Sequence, residues 1–167
     1  MKLLSMIVVV TVLVGCGSTR SATVQPAPKR LSDNYAISAL LALKAIEGDT
    51  YVPEKGSNLV SRFTQEKIDA ADVTAVSPEE RNMTALLNNV YHERLSLNSD
   101  KAKLNQDSRE WLEVSTRLSK KTNDELIDKF TESGKSIKAR ESQLDSCFAD
   151  FDTSLRARSV DTPASCK

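Results

Sequence analysis

Beyond residue 30 the apolar positions fall every three or four residues, the spacing of one helix face, and nowhere do they alternate with polar ones as a half-buried strand requires. Ser32 or Asp33 can cap a first helix that carries Ile37, Leu40, Leu41 and Ala45 on one side, with Ala36 and Leu43 widening it. Gly48 closes it as a residue free to take positive φ. Asp49 to Gly56, with Pro53, reads as a loop, and Ser57 or Asn58 opens a second helix through Val60, Phe63, Ile68 and Ala71 that closes before Val76. Ser77-Pro78-Glu79-Glu80 is the clearest local signal. Ser77 can accept from the amide three residues on, Pro78 suits the first helical position, and Glu80 can reach back to the Ser77 amide.

From Glu79 to Ser133 there is neither Gly nor Pro, and Met83, Val90, Leu97, Leu104, Trp111 and Leu118 recur every seven positions. The companion series Leu87, Arg94, Lys101, Ser108, Ser115 and Thr122 is apolar only at its first member. A free-standing coiled coil needs two apolar positions per heptad, so this single stripe predicts packing against one neighbour. Asn98-Ser99-Asp100 could cap a fresh helix inside the stretch, as could Thr122 with Glu125. A last amphipathic segment runs through Leu126, Phe130, Ile137, Leu144, Phe148, Phe151 and Leu155, with Gly134 in its middle costing about 1 kcal/mol relative to Ala. The expected fold is all-α, an elongated helical hairpin or small helical bundle of four to five helices. Aromatic residues make up only 5% of the chain, so its core must be mostly aliphatic.

The first eighteen residues follow a different pattern. Lys2 precedes an apolar run from Leu3 to Val14, too short for a permanent membrane span, and small Gly15 precedes Cys16. This is the form of a secretory signal peptide. Leu13-Val14-Gly15-Cys16 resembles the lipobox of bacterial lipoproteins. That resemblance covers four residues and implies cleavage before Cys16, with a diacylglyceryl group on its sulfur and an acyl chain, such as palmitate, on the new N-terminus. Several chains at about 0.8 kcal/mol per buried CH₂ would anchor the protein durably. Gly17 is not the aspartate that resembles an inner-membrane retention signal, so the outer membrane of a Gram-negative bacterium, facing the periplasm, is the expected location. Residues 16–30 then form a lipidated N-terminus and a flexible tether of about 20 Å r.m.s. reach, and residues 31–167 a single helical domain.

The cysteines divide accordingly. With Cys16 assigned to lipid, Cys147 and Cys166 remain, which in an exported protein reads as one disulfide rather than two free thiols. A helix ending near Ser159 carries the chain about 16–18 Å past Cys147, a distance the tail can retrace. This predicts a C-terminal clasp.

Charge excludes one class of partner. The chain holds 23 Lys+Arg and 23 Asp+Glu, and loss of Lys2 with the signal leaves one acid in excess. That is no electrostatic footprint for nucleic acid. His92-Glu93 begins like a zinc-protease motif, but position 96 is Ser and the chain has one His, so neither a metal nor another cofactor is expected. Gly134-Lys135-Ser136 ends like a P-loop without its first glycine or a preceding strand. The acid pairs Glu79/Glu80 and Asp69/Asp72 sit where helix starts and solvated faces place acids. No second His could serve as base to a nucleophile, so an enzyme is not expected. Trp111, Val114 and Leu118 form the candidate partner-binding patch, with a core role the competing reading for Trp111.

The expected function is a non-catalytic helical interaction or assembly module of the cell envelope, anchored by lipid on Cys16 and acting on another envelope protein. The alternatives are a structural lipoprotein contacting peptidoglycan, for which the terminal Lys167 is the candidate link, and a helical domain binding a small ligand.

Overall fold

A computed structural model describes residues 29–54 and 57–166. The expected signal peptide, Cys16, most of the expected tether, Lys55, Gly56 and Lys167 lie outside the described residues. The rest is all-α. Four helices follow one another: α1 (Asp33–Glu47), α2 (Arg62–Thr74), α3 (Pro78–Val114) and α4 (Lys120–Arg156).

The side chain of Ser32 caps α1, accepting from the Tyr35 amide. The buried face of this helix is not the one its large residues suggest. Tyr35, Ala36, Ala39, Ala42, Leu43 and Ile46 face inward, while Ile37 and Leu41 are 60% and 56% exposed. Apolar residues lie on nearly every side of α1, so periodicity alone does not select a face. The three alanines do, because small residues let neighbouring helix backbones approach closely. Gly48 ends α1 at φ −84°, an ordinary right-handed conformation rather than the positive φ expected of it.

The second helix starts later than Ser57 or Asn58. Ahead of Arg62, side chains of α3 hold the backbone at Asp49, Tyr51 and Ser61. Asn98 donates to the carbonyls of Asp49 and Tyr51, Arg94 donates to that of Asp49, and the Ser61 amide donates to the Tyr91 hydroxyl. These bonds satisfy backbone groups that a helix would otherwise pair internally. Phe63, expected inside, is 62% exposed with the Lys67 ammonium over its ring; Thr64 is buried instead and donates to Asp49.

The capping box at Ser77 forms as expected, with Glu80 accepting from the Ser77 amide. Helix α3 then passes through Asn98-Ser99-Asp100 unbroken, because the Asn98 amide is committed to the α1–α2 loop. It ends at Val114, followed by a 3-10 turn over Ser115–Arg117. Ser119, not Thr122, caps α4 by accepting from the Thr122 amide. Gly134 is accommodated within α4 without a break.

The core gathers α1, α2, the first half of α3 and the last third of α4 around Tyr35, Leu43, Ile46, Ile68, Leu87, Leu97, Phe151 and Leu155. No residue between Asn98 and Leu144 is buried. The molecule is thus a four-helix head from which the far end of α3 and the near end of α4 project as a two-helix arm. The arm extends about 24 Å past the core, at 1.5 Å per residue from Asn98 to Val114.

The tail closes on the head as the clasp predicts. Cys147 and Cys166 are disulfide-bonded, with their Cα atoms 4.7 Å apart. Helix α4 ends in a Schellman motif: the Arg158 amide donates to the Leu155 carbonyl and the Ser159 amide to the Ser154 carbonyl. Arg158 takes the left-handed position, φ 55°, that glycine usually fills.

Candidate interaction surface

The arm is built from two seven-residue repeats that meet. On α4 the inward series is Asn123, Leu126, Phe130, Ser133, Ile137, Arg140 and Leu144, at alternating spacings of three and four. It faces the stripe of α3, and the pairing runs antiparallel from tip to neck. The Trp111 indole N–H donates to Asn123 at 3.0 Å, Trp111 meets Phe130 edge to face at 5.9 Å, and Leu104 lies beside Gly134.

Ion pairs run beside the apolar stripe, one of them from the companion position Lys101. Arg140 donates to Glu93 at 2.8 Å and to Asp100 at 2.5 Å, with a third bond to Ser96, and Lys101 pairs with Glu141. Hydrogen bonds to Asp100 and then Glu93 raise the Arg140 guanidinium further into its charged state, against the effect of burial. The arm therefore packs α3 against one neighbour, as its narrow stripe implies. Its seam is mainly apolar, with ion pairs toward the neck.

One flank of this seam is open. A groove of about 620 Å³ runs along it, floored by Leu104, Phe130 and Ile137 and walled by Asp100, Asp107, Lys103 and Lys129. An apolar floor between charged walls of both signs is the form of a site for an amphipathic helix. Sequence reasoning on α3 alone missed it, since the floor is shared with α4. The signal was the second repeat, Asn123, Phe130, Ile137 and Leu144, read against the first.

The three residues singled out from sequence lie near the arm tip but do not form one stripe. Trp111 is turned into the seam and half-buried, its N–H satisfied by Asn123. Val114 is 42% exposed at the last helical position, and Leu118 follows the 3-10 turn, off the helix that would have aligned it with the other two. The helix ends between them, which is why the spacing misleads.

At the opposite pole the chain enters the head beside its own exit. Arg30 and Ser159 form a β-bridge, the Leu31 amide donates to the Arg158 carbonyl, Lys29 pairs with Glu79, and Arg158 pairs with Asp33. Lys29 and Arg30, the first described residues, are thus engaged at the pole where α3 starts. The arm tip lies about 54 Å away along α3.

The remaining sequence candidates find ordinary surroundings. His92 is exposed on α3, and Gly134-Lys135-Ser136 lies inside α4 rather than in a loop after a strand. Among the described residues, no cluster of three His, Cys, Asp or Glu is placed to hold a metal, and no helix is long and apolar enough to cross a membrane. A cleft of about 300 Å³ beside the disulfide is lined by Val90, Glu93, Arg140, Leu144 and Ser165, with the guanidinium already committed to Glu93 and Asp100. The chain matches no protein-family model, no curated protein and no solved structure.

Proposed function

We propose that this chain is a lipid-anchored, non-catalytic interaction module of the bacterial envelope, in which the arm binds another protein. Cys16 carries the lipid, the tether links it to the head, and the head serves as a rigid base. The single observation behind this reading is the arm itself, a hairpin with no buried residue from Ser99 to Gln143 and an open apolar groove along one flank. An isolated hairpin of this kind gains little stability of its own. Its length is best understood as a means of presenting the groove far from the tether. The partner chemistry that fits is an amphipathic helix whose apolar face enters between the charged walls.

Two measurements test this proposal. Metabolic labelling with a fatty acid should mark the full chain and fail on Cys16→Ala. Pull-down of the full chain from crosslinked envelopes should recover a partner that is lost with Phe130→Asp. Recovery of no protein above control would contradict the interaction reading.

A further inference from the structure

The groove on the arm and the cleft beside the disulfide share Arg140 as a lining residue. They also share one flank. Along α4, Lys129 and Ser136 line the groove and Gln143 lines the cleft; along α3, Asp107 and Asp100 line the groove and Glu93 the cleft. Each series steps by seven, which returns to nearly the same side of a helix. The floor steps likewise, through Phe130, Ile137 and Leu144. The two cavities are therefore consecutive parts of one furrow. It is about 27 Å long, from Lys129 to Cys147 at 1.5 Å per residue, and the tail closes its head end. Ser165 and Cys166 line that end, held by the disulfide and by the Ser165 hydroxyl, which lies within hydrogen-bond distance of the Ser146 carbonyl and the Asp150 carboxylate.

The furrow changes character at Arg140. Toward the tip, Leu104, Phe130 and Ile137 are each partly open to solvent. Toward the head, Val90 and Leu144 are shut from solvent, and the exposed walls are the uncharged amides of Asn89 and Gln143. At the crossing, Glu93 and Asp100 share the single guanidinium of Arg140, so the three carry one negative charge in excess. Both carboxylates keep nearly half of their side-chain surface open, 47% and 46%.

We infer, on the reading of the arm as the binding element, that the whole furrow receives one helix of a partner protein, about five turns long, with a lysine or arginine where it crosses Arg140. About three turns span the groove from Lys129 to Arg140, and about two more reach Cys147. The first three present apolar residues, at spacings of three and four, to Leu104, Phe130 and Ile137. The last two present polar uncharged side chains, since Asn89 and Gln143 offer both donors and acceptors and little apolar surface remains there to cover. Charge places the cation. A lysine or arginine at the crossing meets the excess negative charge of Glu93 and Asp100, whereas an acid there would face like charge.

The test places a photocrosslinking amino acid at Lys129, Gln143 or Lys138, one site at a time, in the full chain within intact envelopes, and maps each attachment point by mass spectrometry. Lys138 is exposed on α4 and lines neither cavity. Lys129 and Gln143 should capture the same protein, on one segment, at points about 14 residues apart with a lysine or arginine between them, and Lys138 should capture none. Glu93→Gln keeps the size of the side chain and removes its charge. It should lower the Gln143 adduct about fivefold with the circular dichroism unchanged. Adduct from only one of Lys129 and Gln143, or attachment on two separate segments or within one helical turn, would overturn the inference and leave the arm as the binding element. So would the lack of a basic residue between the two points, capture from Lys138 as strong as from Gln143, or a yield indifferent to Glu93→Gln. Capture from neither Lys129 nor Gln143 would contradict both readings.

Discussion

Glu80 and Ser32, separated by 48 residues, are joined where the Ser32 amide donates to the Glu80 carboxylate at 2.8 Å. The same carboxylate accepts from the amides of Val76 and Ser77, so one buried side chain ties the entry of α1 and the α2–α3 turn to the start of α3. Burial pushes the Glu80 carboxyl up, but the Ser32, Ser77 and Val76 donors outweigh it and hold it at about 2.

A folded-state pKa below the unfolded value gives stability that is present above the unfolded pKa and lost as pH falls through the folded one. The window for Glu80 runs from about pH 5 down to pH 2, and the full loss is on the order of 3 kcal/mol. Urea unfolding of the wild type should weaken across that window. Glu80→Gln should begin about 2–3 kcal/mol lower at neutral pH, since its NH₂ faces donors, and should show a flatter dependence. Equal pH slopes for the two proteins would disprove this assignment.

Reduction of the Cys147–Cys166 bond, or Cys166→Ser, should cost roughly 3 kcal/mol by the loop-entropy argument. The loss should appear as a lower urea midpoint with the helical circular dichroism retained. Loss of the helical signal itself would mean that the clasp is needed to form the head and not only to stabilise it.

Gly134 gives a prediction of opposite sign. A Cβ added there would meet only the Leu104 side chain, at 4.0 Å, which is ordinary contact. Gly134→Ala should therefore stabilise by about 0.5–1 kcal/mol through helix propensity, read as a higher urea midpoint. A destabilised variant would show that close approach of the two helices, not chance, keeps this residue small.

Arg158 holds a left-handed backbone at a cost of about 1 kcal/mol and forms an ion pair with Asp33. Both groups are about half exposed or more, so that pair contributes little. Arg158→Gly should fall within about 0.5 kcal/mol of wild type, whereas Arg158→Val should lose about 1–2 kcal/mol. Thermal unfolding of the two variants side by side decides it.

Local signals were the most legible part of this chain. The Ser77 box, the Ser32 cap, the all-α pattern and the pairing of Cys147 with Cys166 all follow from residues close in sequence or from simple counting. Failures arose where tertiary contact overrides a local preference. The chain after Ser57 could begin a helix, but Tyr91, Arg94 and Asn98 capture its neighbourhood first. The face of α1 was chosen by alanines that no hydrophobicity count favours. The groove is not legible from α3 alone, because two of its three floor residues, Phe130 and Ile137, belong to α4. Trp111 reads equally as core or as patch from spacing alone, and only the position of Asn123 directs it inward.

The claim that the arm is the binding element is tested most directly by placing a photocrosslinking amino acid, one site at a time, in the full chain within intact envelopes. Asp107 and Lys129 report on the groove walls, and Glu66 and Val73 on the outer surface of the head. The account predicts discrete adducts with another protein from Asp107 and Lys129 and none from Glu66 or Val73. Adducts from the head positions alone, or from none of the four, would contradict it.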